Sequence, residues 1–428
     1  MLITVDCLRY DYAVKHMCFV RRFFERYGTV FEKVFAHGPG TTVSFPAILT
    51  SSYPLMYGGY PYLSKYRVLL SEVLRKYGFI TVGLVPNPYL SSTFGYSRGH
   101  TIYFNYMDSG FWVLGRVKPY FRIPKFVPTM FLKNVLYGRL PYVKAPFLTE
   151  HAMRILKSIV SSSLNRGFYL WLHYMDAHMP YAPSTKSLKA YGINMFDVRR
   201  LNRKPGLSKC DESLLKTAYA SCVFDVDMSI KRLVEFLEDV KLLDETLVII
   251  TSDHGEELLE TGDYGHHPKL TARLLHVPLF VYPRLTEKSR VDTLKGQIDL
   301  APSILKILGL SVKVSRWHGK PTLLTLKGND FIIAECGHTR KSEFVKRHEI
   351  QYALITERYK FVYWPNKNKM ELYDLTRDPL EINNVAAENA DLVASFLKLV
   401  NEHIRFERTA DIREKIKRVR IKGRIRRK

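Results

Sequence analysis

Three apolar, β-rich runs of this chain stop at an aspartate. LITV ends at Asp6, FYLWLHYM at Asp176, and TLVIITS at Asp253, with His254 directly after. Apolar runs without polar alternation suit strands covered on both faces, as in parallel sheets. Helical patterns such as SEVLRKYG and VFDVDMSIKRLVEFLEDV lie between them. That alternation predicts a doubly wound α/β fold with a mostly parallel sheet. Ligands of such sheets bind beyond the carboxyl ends of the strands. Three aspartates far apart in the chain are therefore expected to face one crevice. A single strand-end Asp is better explained by turn chemistry or helix capping than by a site. Three of them, one followed by His, point to a site.

With 428 residues there is room for one large α/β domain and a smaller one. Residues 1–325 are expected to form the large domain. Beyond them YALITERYKFVYWP and MELYDL are strand-like, and ADLVASFLKLVNEHIRF is helical. They predict a small antiparallel sheet with a helix over residues 326–408, followed by a basic tail, 409–428. Residues 109–149 contain no Asp or Glu but carry seven Lys or Arg among aromatics and prolines. This reads as an irregular insertion, either a lid or membrane-facing surface or a solvated basic loop.

The formal net charge is +24, and the last sixteen residues supply +9 of it. This balance favours anionic partners: phosphate or sulfate esters, nucleic acid, or an anionic membrane face reached through the tail and residues 109–149. No helix-turn-helix, zinc or RNP-type motif supports specific nucleic-acid binding. Five cysteines without CxxC spacing fit reduced thiols rather than a disulfide framework. With no leader before Leu2 and no apolar run of about 18–20 residues, the expected location is cytoplasmic, peripheral to a membrane if the basic segments bind one.

In GTTVSFPAILTSSYP, Ser44 with Pro46 behind it reads as a helix start, with Thr41 and Thr42 just upstream. Backbone N–H groups and the helix dipole favour an anion there. A threonine hydroxyl at such a place is a candidate nucleophile, but it needs a base or a metal to act. Asp6, Asp253 and His254 can supply the ligands of a metal. Among Zn, Mn, Mg and Ca, two carboxylates with an imidazole favour Mn²⁺ or Zn²⁺ over Ca²⁺, which prefers all-oxygen shells. His178, His266 and His267 are candidates to protonate the leaving group or hold the ester oxygens.

These segments resemble the sulfatase family of the alkaline phosphatase superfamily, from residue 2 to about residue 408. ITVDCLRYD is similar to its opening metal strand, TTVSFPAILTSSYP to its nucleophile segment, and HYMDAHMPYAP to its His-x-Pro segment. TSDHGEELLETGDYGHHPKLTARLLHVPLFVYP resembles its second metal segment, and QIDLAPSILKILGL and ITERYKFVYWP its later landmarks. The resemblance implies a metal held by Asp6, Asp253 and His254, Thr41 at the nucleophile position, and His178 and His266 as catalytic histidines. Asn87 in VPNPYLS, Asp176 and His267 are expected among the groups that hold substrate. Sulfatases proper use a formylglycine made from Cys or Ser in a C/S-x-P-x-R signature, where this chain has Thr41, Val43 and Phe45. A threonine there resembles the phosphodiesterase and phosphotransferase relatives, which pass through a phosphothreonine. Cys7 replaces a second Asp often found beside the first.

The expectation is a metal-dependent hydrolase or transferase acting on a phosphate ester, most readily a diester. Two alternatives stay open: a sulfuric ester hydrolase working without formylglycine, and a non-catalytic protein binding anions or a membrane surface on the same fold. Oligomeric state is not legible.

Overall fold

The computed structural model describes residues 1–106, 142–161, 167–204, 206–337 and 350–425, with side chains as far as residue 410. Residues 109–141 of the expected insertion, and 426–428 of the tail, lie outside the described residues. Two compact units interleave along the chain. The first comprises Met1–Glu32, Leu70–Gly265 and Val277–Val291; the second comprises Lys33–Leu69, His266–His276 and Asp292–Lys428.

The first unit is built on a mostly parallel sheet. Its strands are β1 (Leu2–Val5), β2 (Thr29–Phe35), β3 (Ile80–Val85), β4 (Ile102–Asn105), β5 (Phe168–Tyr174), β6 (Val248–Ser252), β9 (His276–Tyr282) and β10 (Arg290–Val291). Short β7 (Glu257–Leu258) and β8 (Tyr264–Gly265) pair separately. The order across the sheet is β10-β2-β9-β6-β1-β5-β3-β4. β1 runs parallel to both neighbours, β5 and β6, while β9 runs antiparallel to β6. Every residue of β1, β3 and β6 is buried, which is why these runs lack polar alternation. Helices Ala145–Ser161 and Glu212–Asp239 contribute Leu148, Leu156, Ile230 and Leu237 to the core that contains Ile3 and Ile250. The doubly wound α/β architecture expected from the sequence is thus the observed one.

In the second unit, which takes in β2 from Lys33 onward, β11 (Lys295–Gly296) runs parallel to Val34–Phe35. The antiparallel sheet β12 (Ile332–Cys336), β13 (Gln351–Ile355), β14 (Tyr359–Trp364), β15 (Lys369–Asp374) follows in that order. Ile333, Leu354, Phe361 and Leu372 of the sheet share a core with Phe396 and Val400 of the C-terminal helix. That helix spans Ala390–Ile425 and therefore runs on into the basic segment, where the sequence pattern predicted its end near residue 408. Arg, Lys, Glu and Ala are good helix formers, so nothing in that composition stops it. Among the described residues no helix is long and apolar enough to cross a membrane.

Because Ile3 lies fully buried in the strand between β5 and β6, Ile3→Ala is expected to cost about 2–5 kcal/mol. Denaturant unfolding followed through tryptophan fluorescence, to which the buried Trp171 opposite Leu2 contributes, measures it. A loss under about 1 kcal/mol would mean that the sheet centre is not the core described.

Candidate functional site

Sheet register brings Asp6 and Asp253 together. Val5 and Ser252 are register partners at the ends of β1 and β6, so the next residue of each strand emerges at the same edge. Ser252 secures the join: its hydroxyl accepts from Leu8 N–H at 2.9 Å and lies within hydrogen-bond reach of Val5 O and His254 O. Cys7 takes a left-handed backbone with φ +60°, which turns the chain sharply after Asp6. Its N–H then reaches Asp253 Oδ1 at 3.3 Å, and its thiol donates to Asp6 Oδ1 at 3.1 Å.

Asp6, Asp253 and His254 are fully buried. His254 Nε2 stands 3.6 Å from Asp6 Oδ1 and 3.6 Å from Asp253 Oδ2. One donor atom from each of the three lies within 4.8 Å of the others, and a donor atom of His178 lies within the same distance of Asp6 and Cys7. Asp253 Oδ1 accepts the His254 N–H at 3.0 Å, while Asp253 Oδ2 is buried with no hydrogen-bond partner. Burial raises Asp6, but the hydrogen bond to His173 and the charges of His178, His173 and His254 outweigh it, so the carboxyl sits well below its ordinary value. Burial and the charge of Asp6 push Asp253 well above it. Two carboxylates sealed from water cannot both carry charge unless a cation shares it. The orphaned oxygen and a donor set of two carboxylates and an imidazole fit a divalent ion.

Asp6 is held by residues that the sequence did not single out. His173 Nε2 lies 3.2 Å from Asp6 Oδ2, and His173 Nδ1 lies 2.8 Å from Thr4 Oγ1. The Trp171 indole N–H donates to Thr4 Oγ1 at 3.0 Å. Trp171 thus donates to Thr4, Thr4 and His173 share a hydrogen bond, and His173 Nε2–H donates to Asp6. Its only trace in the sequence is a histidine inside the apolar run FYLWLHYM; the register pairing of Thr4 with His173 completes it.

Asn87, expected to touch substrate, instead donates its amide to Asp6 Oδ2 at 2.8 Å and lies 3 % exposed. Its place is behind the carboxylate it orients. Asp176 also has a different task from the one expected. Lys144 Nζ pairs with it at 2.9 Å, and the N–H of Ala145 donates to it at 2.7 Å, at the start of the helix Ala145–Ser161. Of the three strand-end aspartates, two share a site and the third anchors a helix. Asp299 accepts from Lys320 N–H, the Thr322 hydroxyl and the Asn329 amide, and so ties a loop of the second unit together.

Thr41 is the first residue of the helix Thr41–Thr50, three residues earlier than the start read from Ser44 and Pro46. Gly40 is the cap residue, and its carbonyl accepts the N–H groups of Val43 and Ser44. The Ser44 hydroxyl donates to Gly38 O at 2.8 Å. A Cβ on Gly38 would stand 2.3 Å from Val43 Cγ1, so only glycine lets the loop close onto the helix there. Pro46 lies inside the helix, not at its head. His266 is close by: a Cβ added to Gly40 would stand 3.9 Å from His266 Cδ2. The second unit thus brings Thr41 and His266 to one helix N-terminus, whose dipole favours an anion. His267, next along, is exposed.

Residues 10–310 match the family model of sulfatases, and residues 262–405 match that of the N-sulphoglucosamine sulphohydrolase C-terminal region. An N-acetylglucosamine-6-O-sulfatase of Bacteroides thetaiotaomicron is 27% identical over 195 residues, 43% of this chain and 34% of that protein. Arylsulfatase K of Xenopus laevis is 28% identical over 180 residues, 40% of this chain and 33% of that protein. The matching stretch thus spans about a third of the length of these curated relatives. A solved structure in complex with its substrate D-glucosamine-2-N,6-O-disulfate superposes with TM-score 0.72 at 15% identity, covering 96% of this chain and 98% of that one. The phosphonate monoester hydrolase of Agrobacterium radiobacter superposes with TM-score 0.70 at 18% identity, covering 95% of each chain. Sulfatases hydrolyse ester bonds with the help of a divalent metal. With a family match over most of its length and the superfamily's sheet beneath its paired aspartates, this chain belongs to the sulfatase family.

Proposed function

We propose that the protein is a metal-dependent hydrolase of anionic esters that prefers phosphate esters, diesters above all, and works through a phosphothreonine at Thr41. The observation that carries this reading is the buried set Asp6, Asp253 and His254, with one carboxylate oxygen left without a hydrogen bond. The group it would hold is a divalent ion, Mn²⁺ or Zn²⁺ by donor type. When bound, such an ion supplies Lewis-acid stabilisation of the charge on a non-bridging ester oxygen.

The chain's own residues have the other roles. Thr41 Oγ1 attacks phosphorus in line, the ester oxygen leaves as the alcohol, and water or an acceptor alcohol then releases the phosphoryl group from Thr41. His266, beside the head of that helix, and His178, near Asp6, are the acid–base candidates. The helix dipole at Thr41 lowers the cost of the extra negative charge. The choice of phosphate over sulfate rests on threonine at the position where sulfatases proper carry Cys or Ser. Threonine cannot yield the formylglycine aldehyde. A solved neighbour of the same fold is named for phosphonate monoesters, which agrees with phosphorus chemistry on this scaffold. Sulfate ester hydrolysis is the second reading, favoured by the curated relatives named as sulfatases.

Thr41→Ala is expected to lower Mn²⁺-supported hydrolysis of bis-p-nitrophenyl phosphate by more than about 10²-fold. Activity within about threefold of wild type would remove Thr41 from the nucleophile role. Parallel kcat/KM values on p-nitrophenyl sulfate should fall below those on the phosphate diester; the reverse order would establish the sulfate reading. His173→Gln, which alters one of the residues orienting Asp6 and leaves the expected metal ligands in place, is expected to weaken Mn²⁺ binding about 10–100-fold in equilibrium dialysis. Unchanged affinity would show that the Trp171–Thr4–His173 chain does not tune the site.

A further inference from the structure

The second unit contains another cluster of side chains able to hold a metal. Glu335 lies on β12, and His403 and Glu407 stand one turn apart on the helix Ala390–Ile425. Residues at that spacing share a helix face, here the face on which Phe396 and Val400 reach the antiparallel sheet. His403 Nε2 is 2.5 Å from Glu335 Oε1 and 3.8 Å from Glu407 Oε1. One donor atom from each of the three lies within 4.8 Å of the others.

Each carboxylate is oriented from behind. Glu335 Oε2 accepts the Leu55 N–H at 2.8 Å, and Glu407 Oε2 accepts the Tyr352 hydroxyl at 3.1 Å. Their other oxygens turn toward the imidazole. The Tyr53 ring meets His403 edge-on with centroids 4.4 Å apart, which restricts the imidazole. Glu335 is fully buried, His403 9 % exposed and Glu407 6 % exposed, yet Glu407 Oε1 has no hydrogen-bond partner. With both carboxylates ionised, a protonated His403 would offset only one of them; a proton held between the carboxylates, or a cation in its place, supplies the rest. Glu407 also lines a cavity of about 570 Å³ together with Tyr352, Tyr363, Asn366, Asn401 and Arg405. That cavity gives a small ion a way in.

We propose that Glu335, His403 and Glu407 form a zinc site that ties the C-terminal helix to β12 and to the chain at Leu55. One imidazole nitrogen and two carboxylate oxygens make a zinc-type donor set, with donors drawn in to about 2.0–2.2 Å. The oxygen and nitrogen now 2.5 Å apart separate by a side-chain rotation to admit the ion. Glu407 supplies the edge that faces the cavity, which leaves one coordination position for water. The assignment is independent of the ester chemistry at Asp6 and Asp253.

The test is zinc stoichiometry of the full chain, stripped with chelator, reloaded with Zn²⁺ and passed over a desalting column. Expected values are two equivalents for wild type, one for Asp253→Asn and one for Glu407→Gln. A result of one equivalent for both wild type and Asp253→Asn would support this site while counting against the Asp6–Asp253 centre. A folded Asp253→Asn protein that retains no zinc would overturn the proposal, as would a Glu407→Gln protein that retains as much as wild type. X-ray absorption at the zinc edge of loaded Asp253→Asn tests the site without altering the cluster. Nitrogen and oxygen donors including one imidazole are expected, and a sulfur donor or several imidazoles would overturn the assignment.

Discussion

Two fully buried carboxylates packed side by side set the terms for the first unit. Parallel pairing of β1 with β6 makes Asp6 and Asp253 neighbours whatever their mutual repulsion. Like charges at such range in a low-dielectric interior repel strongly. The fold answers by dividing the two: Asp6 is surrounded by donors and kept ionised, while Asp253 is pushed toward its neutral form. A cation between such groups removes the conflict, because both can then carry charge. The sheet has built a place whose donor set fits a divalent ion.

The strand on the other side of β1 explains how that place is kept rigid. β5 delivers Trp171 and His173 to the same side as Thr4, and the three link into one hydrogen-bonded line that ends on Asp6. Asn87, from the loop after β3, holds the same carboxylate oxygen from another direction. A metal-binding carboxylate is only as well placed as the groups that orient it. Here that support is buried, aromatic-packed and drawn from two strands and a loop, so Asp6 has little freedom to turn away.

In the second unit a backbone requirement has the same positioning effect. Gly38 allows the loop to lie against Val43, and the helix then begins at Thr41 rather than one turn later. That shift puts a hydroxyl at the first helical position, in the strongest part of the dipole field. His266 comes from a segment more than two hundred positions away in the chain and stands beside the residue that caps this helix. The antiparallel sheet and long C-terminal helix of this unit follow the alternation and periodicity read from residues 326–408, with the helix extended further.

Much of this was legible in residue order. Unbroken apolar runs marked the buried strands, because a strand covered on both faces tolerates no polar positions. Asp6, Asp253 and His254 were recognisable because they end such runs. What the sequence could not reveal was which partner each polar group would find. Asn87 and Asp176 had the right chemistry to meet a substrate, yet one orients Asp6 and the other binds Lys144 and a helix start. His173 looked like one more residue of a strand until register set it between Thr4 and Asp6. Glu335 gained its histidine partner only when β12 met the C-terminal helix. Composition and periodicity are local and determine which segments become strands and helices. Register and packing join residues far apart in the chain, so only the tertiary structure decided which carboxylates share a charge and which are spent on the scaffold.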